Sequence, residues 1–159
     1  MPAAAQPPTP PSTSYELILL PCPPELAGPD AAAWFTSYTE PDGEADLSAG
    51  ALAAWDAIVA AATALLPDAE VESSSEHAEL AWPDLGLQLE FWPDEATVGL
   101  AYWHDGASAA DLVMTSYRLA GIVSSHTGLR AFDPQLGLLA DEAGSASAAG
   151  AYARTRARR

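Results

Sequence analysis

The hydrophobic positions of the chain recur at helical spacing in two long segments. In the first, Ser48 precedes apolar side chains spaced three or four residues apart until Pro67; these are Leu52, Trp55, Val59, Ala62 and Leu66. This spacing places the apolar side chains on one face of a helix, and Ser is a favoured N-cap. The second segment runs from about Ala109 to His126, with Gly128 as its C-cap. The pattern also predicts a short helix, AAAWFTSYT, that is capped by Asp30 and ended by Pro41.

Shorter apolar or alternating runs predict strands. Residues 15–20 form an apolar run that ends at a proline. The other candidates are 77–82, 86–92, 96–104 and 129–132, and the turn Pro93-Asp94-Glu95 joins the second and third of them as a hairpin. The order of elements predicts an α+β fold, with a mostly antiparallel sheet and helices packed on one face, as in a ferredoxin-like sandwich with extra elements.

Composition divides the chain into three parts. Residues 1–13 contain five prolines and predict a Pro-rich disordered tail. Residues 14–140 contain the patterned segments and are expected to form a single domain. Residues 141–159 are rich in small residues without bulky apolar periodicity, which predicts a flexible tail. This tail ends in an arginine cluster made of Arg154, Arg156, Arg158 and Arg159.

The charge of the chain is strongly one-sided. It has 22 Asp and Glu against 6 Lys and Arg, for a net charge of −16, and residues 1–150 carry all 22 acids against two arginines, for −20. Such a body repels nucleic acid and anionic membranes, so we expect neither as a partner and instead expect a basic protein. The single Cys22 excludes an intramolecular disulfide, and the amino-terminal residues show no secretory pattern, so we expect a cytoplasmic protein.

Alternation along two strands predicts an aromatic, acidic sheet face. Leu87, Leu89 and Phe91 fall on one side of their strand, and Gln88, Glu90 and Trp92 fall on the other. Trp103 joins the second side from the next strand. If helices cover the aliphatic side, Glu90, Trp92 and Trp103 form a partner-binding surface. The alternative is that loops, the tails or a second copy of the chain cover this face.

A loop between the first two helices carries alternating acids, namely Glu40, Asp42, Glu44 and Asp46. An EF-hand needs Gly at its sixth position and Glu at its twelfth, but counting from Glu40 these positions hold Ala45 and Ala51. The EF-hand pattern therefore fails. The loop is either a solvated turn or a docking loop for a basic partner.

The sequence offers little catalytic chemistry. His104 and Asp105 follow a strand, where a carboxylate can orient an imidazole as a general base, but the common structural explanation is a hydrogen-bonded His and a turn Asp. Cys22 lies in a Pro-rich loop without a family signature and is best explained as a packed thiol. His77, His104 and His126 are isolated in the sequence, so we expect no structural zinc site and no cofactor.

The segment Glu79–Leu139 resembles small acidic bacterial proteins that share short motifs. Here these motifs are Tyr102-Trp103, Thr127-Gly128 and Phe132-Asp133-Pro134-Gln135. Some proteins of that general kind resemble immunity proteins of polymorphic toxin systems. The resemblance implies a binding role and supplies no catalytic residues.

Three functions follow as hypotheses. The first is a non-catalytic, acidic protein-binding module, in the form of an immunity or antitoxin-type inhibitor of a basic partner. The second is a self-assembling scaffold component whose arginine cluster docks on a neighbouring copy, giving a homo-oligomer. The third is a small enzyme built around His104 and Asp105.

Overall fold

The computed structural model describes residues 14–41 and 45–158. The expected Pro-rich tail over 1–13, the loop acids Asp42 and Glu44, and Arg159 therefore lie outside the described residues.

The described residues form one antiparallel seven-stranded sheet, which confirms the α+β class. Its spatial order is β2-β3-β4-β5-β1-β6-β7. The strands are β1 Ser14–Leu20, β2 Glu70–Ser73, β3 Ala78–Trp82, β4 Leu87–Trp92, β5 Glu95–Ala101, β6 Arg130–Asp133 and β7 Leu138–Leu139. Because β1 lies between β5 and β6, the centre of the sheet has the split β-α-β arrangement of a ferredoxin-like sandwich. Strands β2 and β7 were not predicted from the sequence, because β2 is short and exposed and β7 has only two residues.

The helices are α1 Gly28–Ser37, α2 Ala49–Leu65, α3 Gly106–Thr127, α4 Ala140–Ala143 and α5 Ser145–Ala157. Ser48 caps α2 as predicted, since its Oγ accepts a hydrogen bond from Ala51 N at 3.0 Å. Asp30 is not the cap of α1, because that helix begins at Gly28 and Asp30 lies in its first turn. Within 14–41 and 45–158, none of the helices combines the length and apolarity that a membrane crossing requires.

The main core lies between one sheet face and helices α2, α3 and α5. Its fully buried side chains come from all of these layers; they include Leu17, Leu19, Ile58, Leu80, Leu89, Val98, Leu119 and Tyr152. A smaller cluster lies on the opposite face at the β6–β7 end, where Phe35 of α1 stacks on Phe132 with ring centroids 4.7 Å apart. Helix α1 therefore covers that end of the second face.

The carboxyl-terminal segment differs from its prediction. The expectation of a flexible tail over 141–159 is wrong for residues 145–157, which form α5. Ala148 and Tyr152 are fully buried, and the Tyr152 hydroxyl donates to Ala101 O at 2.6 Å. The sequence pattern was weak because small residues, not bulky ones, allow this helix to pack closely on α3.

Candidate functional site

We call the surface of β3, β4, β5 and the first half of β1 that faces away from α2, α3 and α5 the open face. The predicted alternation is confirmed there: Leu87, Leu89 and Phe91 are buried, whereas Gln88 is exposed and Glu90 and Trp92 are half-buried. The open face holds both polar and aromatic groups; these are Glu16, Glu79, Gln88, Glu90, Trp92, Thr97 and Trp103.

A shallow groove of about 450 Å³ runs across the open face. Its floor is low because Gly99 and Ala101 carry little or no side chain on this side of β5. Glu16 on β1 and Gln88 on β4 both pair with Gly99, so they flank the groove from opposite sides. The groove is therefore an opening between polar side chains, built by the small residues of β5.

Trp103 forms the wall at one end of the groove and is 64% exposed. Its ring lies over Gly86, which adopts a left-handed conformation with φ of 61°. A Cβ atom at position 86 would lie 2.7 Å from Ala101 Cβ and 2.9 Å from Trp103 Cζ3, so glycine allows β5 and the ring to approach this closely.

A second group of polar side chains lies on the open face toward the sheet edge. His77, Glu79 and Glu90 each offer one potential ligand atom, and these atoms lie within 4.8 Å of one another. His77 Nε2 is 3.7 Å from Glu90 Oε1. The imidazole also packs against the Trp92 ring, with centroids 4.8 Å apart. We call His77, Glu79 and Glu90 the His-Glu-Glu cluster.

Strand register explains why carboxylates gather there. Glu72 pairs with Glu79, and Glu79 pairs with Glu90, so three acids are directly opposite one another across β2, β3 and β4. Like charges at such positions repel each other. Burial first, and then repulsion from Glu90, raises the pKa of Glu79, whereas the nearby His77 lowers it.

The loop that precedes α2 reaches the same end of the sheet. Burial, with a hydrogen bond and repulsion from Glu40, raises the pKa of Glu95 to about 7. At the other end of the loop, Leu47 N donates to Ser75 O at 2.8 Å, next to the β2–β3 turn. Asp46 is exposed. The structure thus brings Glu40 close to the open face, because Glu95 pairs with Trp92.

His104 and Asp105 contact different partners. His104 Nε2 is 2.7 Å from Leu85 O, whereas the Asp105 carboxylate faces Arg156 at 3.7 Å. The hypothesis that Asp105 orients the imidazole thus gains no support from the geometry. Cys22 is buried, and its Sγ accepts from Arg130 Nη1 at 3.6 Å.

Arg154 and Arg156 of the arginine cluster lie on α5, and Arg158 is the C-cap of this helix. Arg154 and Arg158 are exposed, and Arg156 pairs with Asp105 of its own chain. This ion pair is largely solvent-exposed and contributes little to stability. Docking of the cluster on a neighbouring copy stays a prediction.

Asp133 is a highly connected polar residue that stands out in the sequence only as part of the Phe132-Asp133-Pro134-Gln135 motif. Asp133 is fully buried, and its Oδ2 accepts hydrogen bonds from the hydroxyls of Tyr15 and Tyr117, both at 2.5 Å. Its Oδ1 accepts from Gln135 N, Gln135 Nε2 and Leu136 N. Burial, and then the Asp133 carboxylate, raises the pKa of both tyrosines, which keeps them as neutral donors. The Asp-Pro-Gln sequence is therefore a structural junction.

Comparisons with protein-family models, with curated proteins and with solved structures find no match to this chain.

Proposed function

We propose that the protein is a non-catalytic binding module that holds an arginine-rich segment of a basic partner protein on its open face. The observation that carries this proposal is the groove itself, which combines the carboxylates of Glu16 and Glu90 with an indole, Trp103, that is 64% exposed. Large exposed aromatic side chains beside polar groups are typical of interface anchors.

The chemistry of the groove favours arginine in the partner. Carboxylates accept paired hydrogen bonds from a guanidinium, and an indole face attracts the same cation. Glu16 and Glu90 lie on either side of β5, so one extended segment across the groove can reach both. A basic segment that crosses the strands therefore fits the arrangement.

The net charge of −16 supports the same partner class. Opposite charges steer two proteins together and raise the association rate by orders of magnitude at low salt. An inhibitor that must intercept a harmful enzyme benefits from such a rate. We therefore place the protein in the class of immunity or antitoxin-type inhibitors, with a basic toxin domain as its partner.

A synthetic peptide tests the surface directly. Fluorescein-labelled nona-arginine is titrated with the full chain, and its anisotropy is followed at about 50 and about 500 mM NaCl, since the Debye length shortens over this range. We expect binding at low salt that weakens at high salt. We also expect Trp103→Ala and Glu90→Gln each to weaken binding at low salt by at least about threefold, a loss of roughly 0.7 kcal/mol.

The matched control is Asp111→Asn, because Asp111 is an exposed acid on α3, away from the open face. This variant removes the same charge as Glu90→Gln and is expected to leave the affinity within twofold. If Glu90→Gln and Asp111→Asn lost the same affinity for nona-arginine, the attraction would come from net charge and not from a site on the open face. An unchanged affinity in Trp103→Ala would likewise contradict the proposal.

A further inference from the structure

We propose that the His-Glu-Glu cluster binds a divalent transition-metal ion of the Zn²⁺ class, with His77 Nε2 and one carboxylate oxygen each from Glu79 and Glu90 as its ligands. This inference goes beyond the proposed function, because it concerns a different ligand. The two sites share Glu90: the cluster extends from it toward the β2 edge of the open face, whereas the groove extends from it across β5 toward β1.

The first observation is an unsatisfied ring nitrogen. His77 Nε2 is shielded from solvent and has no hydrogen-bond partner among the described residues. Glu90 Oε1 lies 3.7 Å from it, which is too long for a hydrogen bond. Burying a polar atom without a partner costs free energy, so a ligand that binds this nitrogen would recover that cost.

The second observation is the row of opposed carboxylates. Glu79 faces Glu90 directly across β3 and β4, and Glu72 follows on β2. A divalent cation between Glu79 and Glu90 removes the repulsion and at the same time supplies the missing partner for His77 Nε2.

The spacing of the three groups suits a small metal ion. Zn²⁺ binds nitrogen and oxygen at about 2.1 Å, so two tetrahedral ligands lie about 3.4 Å apart. The distance of 3.7 Å between His77 Nε2 and Glu90 Oε1 is close to this value. All three ligand atoms lie within 4.8 Å of one another, so small side-chain rotations bring them to bonding distance from one ion. Three protein ligands leave a further position for water, which is the pattern of an open site.

The donor set also indicates which metals bind. One imidazole with two carboxylates suits Zn²⁺, Co²⁺ or Fe²⁺, whereas Mg²⁺ and Ca²⁺ prefer oxygen ligands alone.

The backbone that carries the three ligands is rigid, because Glu79 and Glu90 lie on paired strands. His77 ends a turn in which its backbone nitrogen donates to Ser74 Oγ at 3.2 Å and its carbonyl accepts from Ser74 N at 2.7 Å.

The experiment uses the full, untagged chain after treatment with EDTA and exhaustive dialysis. Zn²⁺ alone is titrated in a calorimeter, and we expect one ion per chain with no comparable binding of Mg²⁺. His77→Ala is expected to weaken Zn²⁺ binding at least about tenfold, since even the loss of a residue that only supports a ligand costs 10–100-fold. Glu90→Gln is expected to act in the same direction.

Two controls make the result specific. His126→Ala removes an exposed histidine at the end of α3 and is expected to bind Zn²⁺ like the parent. Bound Co²⁺ is expected to quench the fluorescence of Trp92, which packs on His77, and Trp92→Phe is expected to remove that quenching while leaving the affinity within threefold.

The proposal is overturned if Zn²⁺ does not bind, or if His77→Ala and His126→Ala bind it equally well. A variant that fails to fold is recognised by its circular dichroism, and in that case Glu79→Gln, which keeps the shape of the side chain, replaces it. Partner binding is measured separately with nona-arginine in the presence of EDTA, so failure of the metal site and failure of the proposed function give different results.

Discussion

The hydroxyl of Tyr15 donates a hydrogen bond of 2.5 Å to the buried carboxylate of Asp133, which joins the start of β1 to the end of β6 across 118 residues of sequence. Tyr117 on α3 donates to the same oxygen, so the junction also ties the longest helix to the sheet. The backbone of the following turn occupies the other carboxylate oxygen. Asp133 thus joins three separate parts of the fold.

We therefore expect Asp133→Ala to be strongly destabilising. It leaves the hydroxyls of Tyr15 and Tyr117 without their acceptor in a buried region, and each orphaned donor costs roughly 1–3 kcal/mol. The free energy of unfolding, measured with urea, is expected to fall by about 3 kcal/mol. Asp111→Ala, at an exposed position of α3, is the control and is expected to change it by less than about 0.5 kcal/mol. A loss below about 1 kcal/mol for Asp133→Ala would contradict the role of the junction.

Gly86 is expected to control the position of Trp103. In Gly86→Ala the new methyl group clashes with Ala101 Cβ and with the Trp103 indole. The left-handed backbone at position 86 adds about 1–2 kcal/mol of strain. We expect lower stability in urea and weaker nona-arginine binding, because the wall of the groove moves. Gly121→Ala is the matched control: this glycine lies inside α3 with open space around it, and the substitution is expected to stabilise the chain by roughly 0.5–1 kcal/mol. Unchanged peptide binding in Gly86→Ala would contradict the prediction.

Glu95 makes folding stability depend on pH. The pKa of the Glu95 carboxyl group is about 7 in the folded chain, compared with a reference value of 4.5. At a pH between these two values, the folded state therefore holds a proton that the unfolded state has released. The stability that Glu95 contributes is full below about pH 4.5 and is lost as the pH rises toward 7. We expect Glu95→Gln to flatten the fall in unfolding free energy over this range, measured by urea denaturation at several pH values.

The control for the pH prediction is Glu25→Gln, because Glu25 is an exposed acid in the loop after β1. Its pH profile is expected to match that of the parent chain. If Glu95→Gln showed the same slope as the parent between pH 4.5 and 7, the carboxyl pair of Glu95 and Glu40 would not be the cause.

Helix α5 is expected to be part of the stable core. Tyr152→Ala removes a fully buried ring and is expected to cost about 3–5 kcal/mol in urea denaturation. Tyr152→Phe keeps the ring but loses the hydrogen bonds to Ala101 O and His104 N, with an expected cost of about 1–2 kcal/mol. Arg154→Ala on the exposed side of the same helix serves as the control. Little change in Tyr152→Ala would mean that α5 is not packed in solution.

The side chains on the open face were predictable because alternation is a local property of a strand. Period two places Glu90 and Trp92 on this face, and β4 has that pattern. Trp103 follows the end of β5 at Ala101 and also lies on this face. Ser48 was recognised as a cap by its position before an apolar run. In each case the residues that carry the signal are close together in the sequence.

The features that were missed depend on contacts between distant segments. His77 appeared isolated because its cluster partner Glu90 is 13 residues away and only the register of β3 with β4 brings them together. The junction at Asp133 has no local signal because Tyr15 and Tyr117 reach it from other elements. Tyr152 lay in a segment of small residues whose packing on α3 has no periodic signature.

The amide of Gln135 continues the sheet beyond the end of β6. Its Nε2 donates to Glu16 O at 2.8 Å, and its Oε1 accepts from Glu16 N at 2.9 Å, so a side chain pairs with a strand as a neighbouring backbone would. The backbone of Glu16 is thereby held from both sides, because Gly99 pairs with it across β1 and β5. A ligand that binds to an ordered strand loses less conformational entropy than one that must order the strand on binding. The strand backbone that carries Glu16 is thus ordered before a ligand binds.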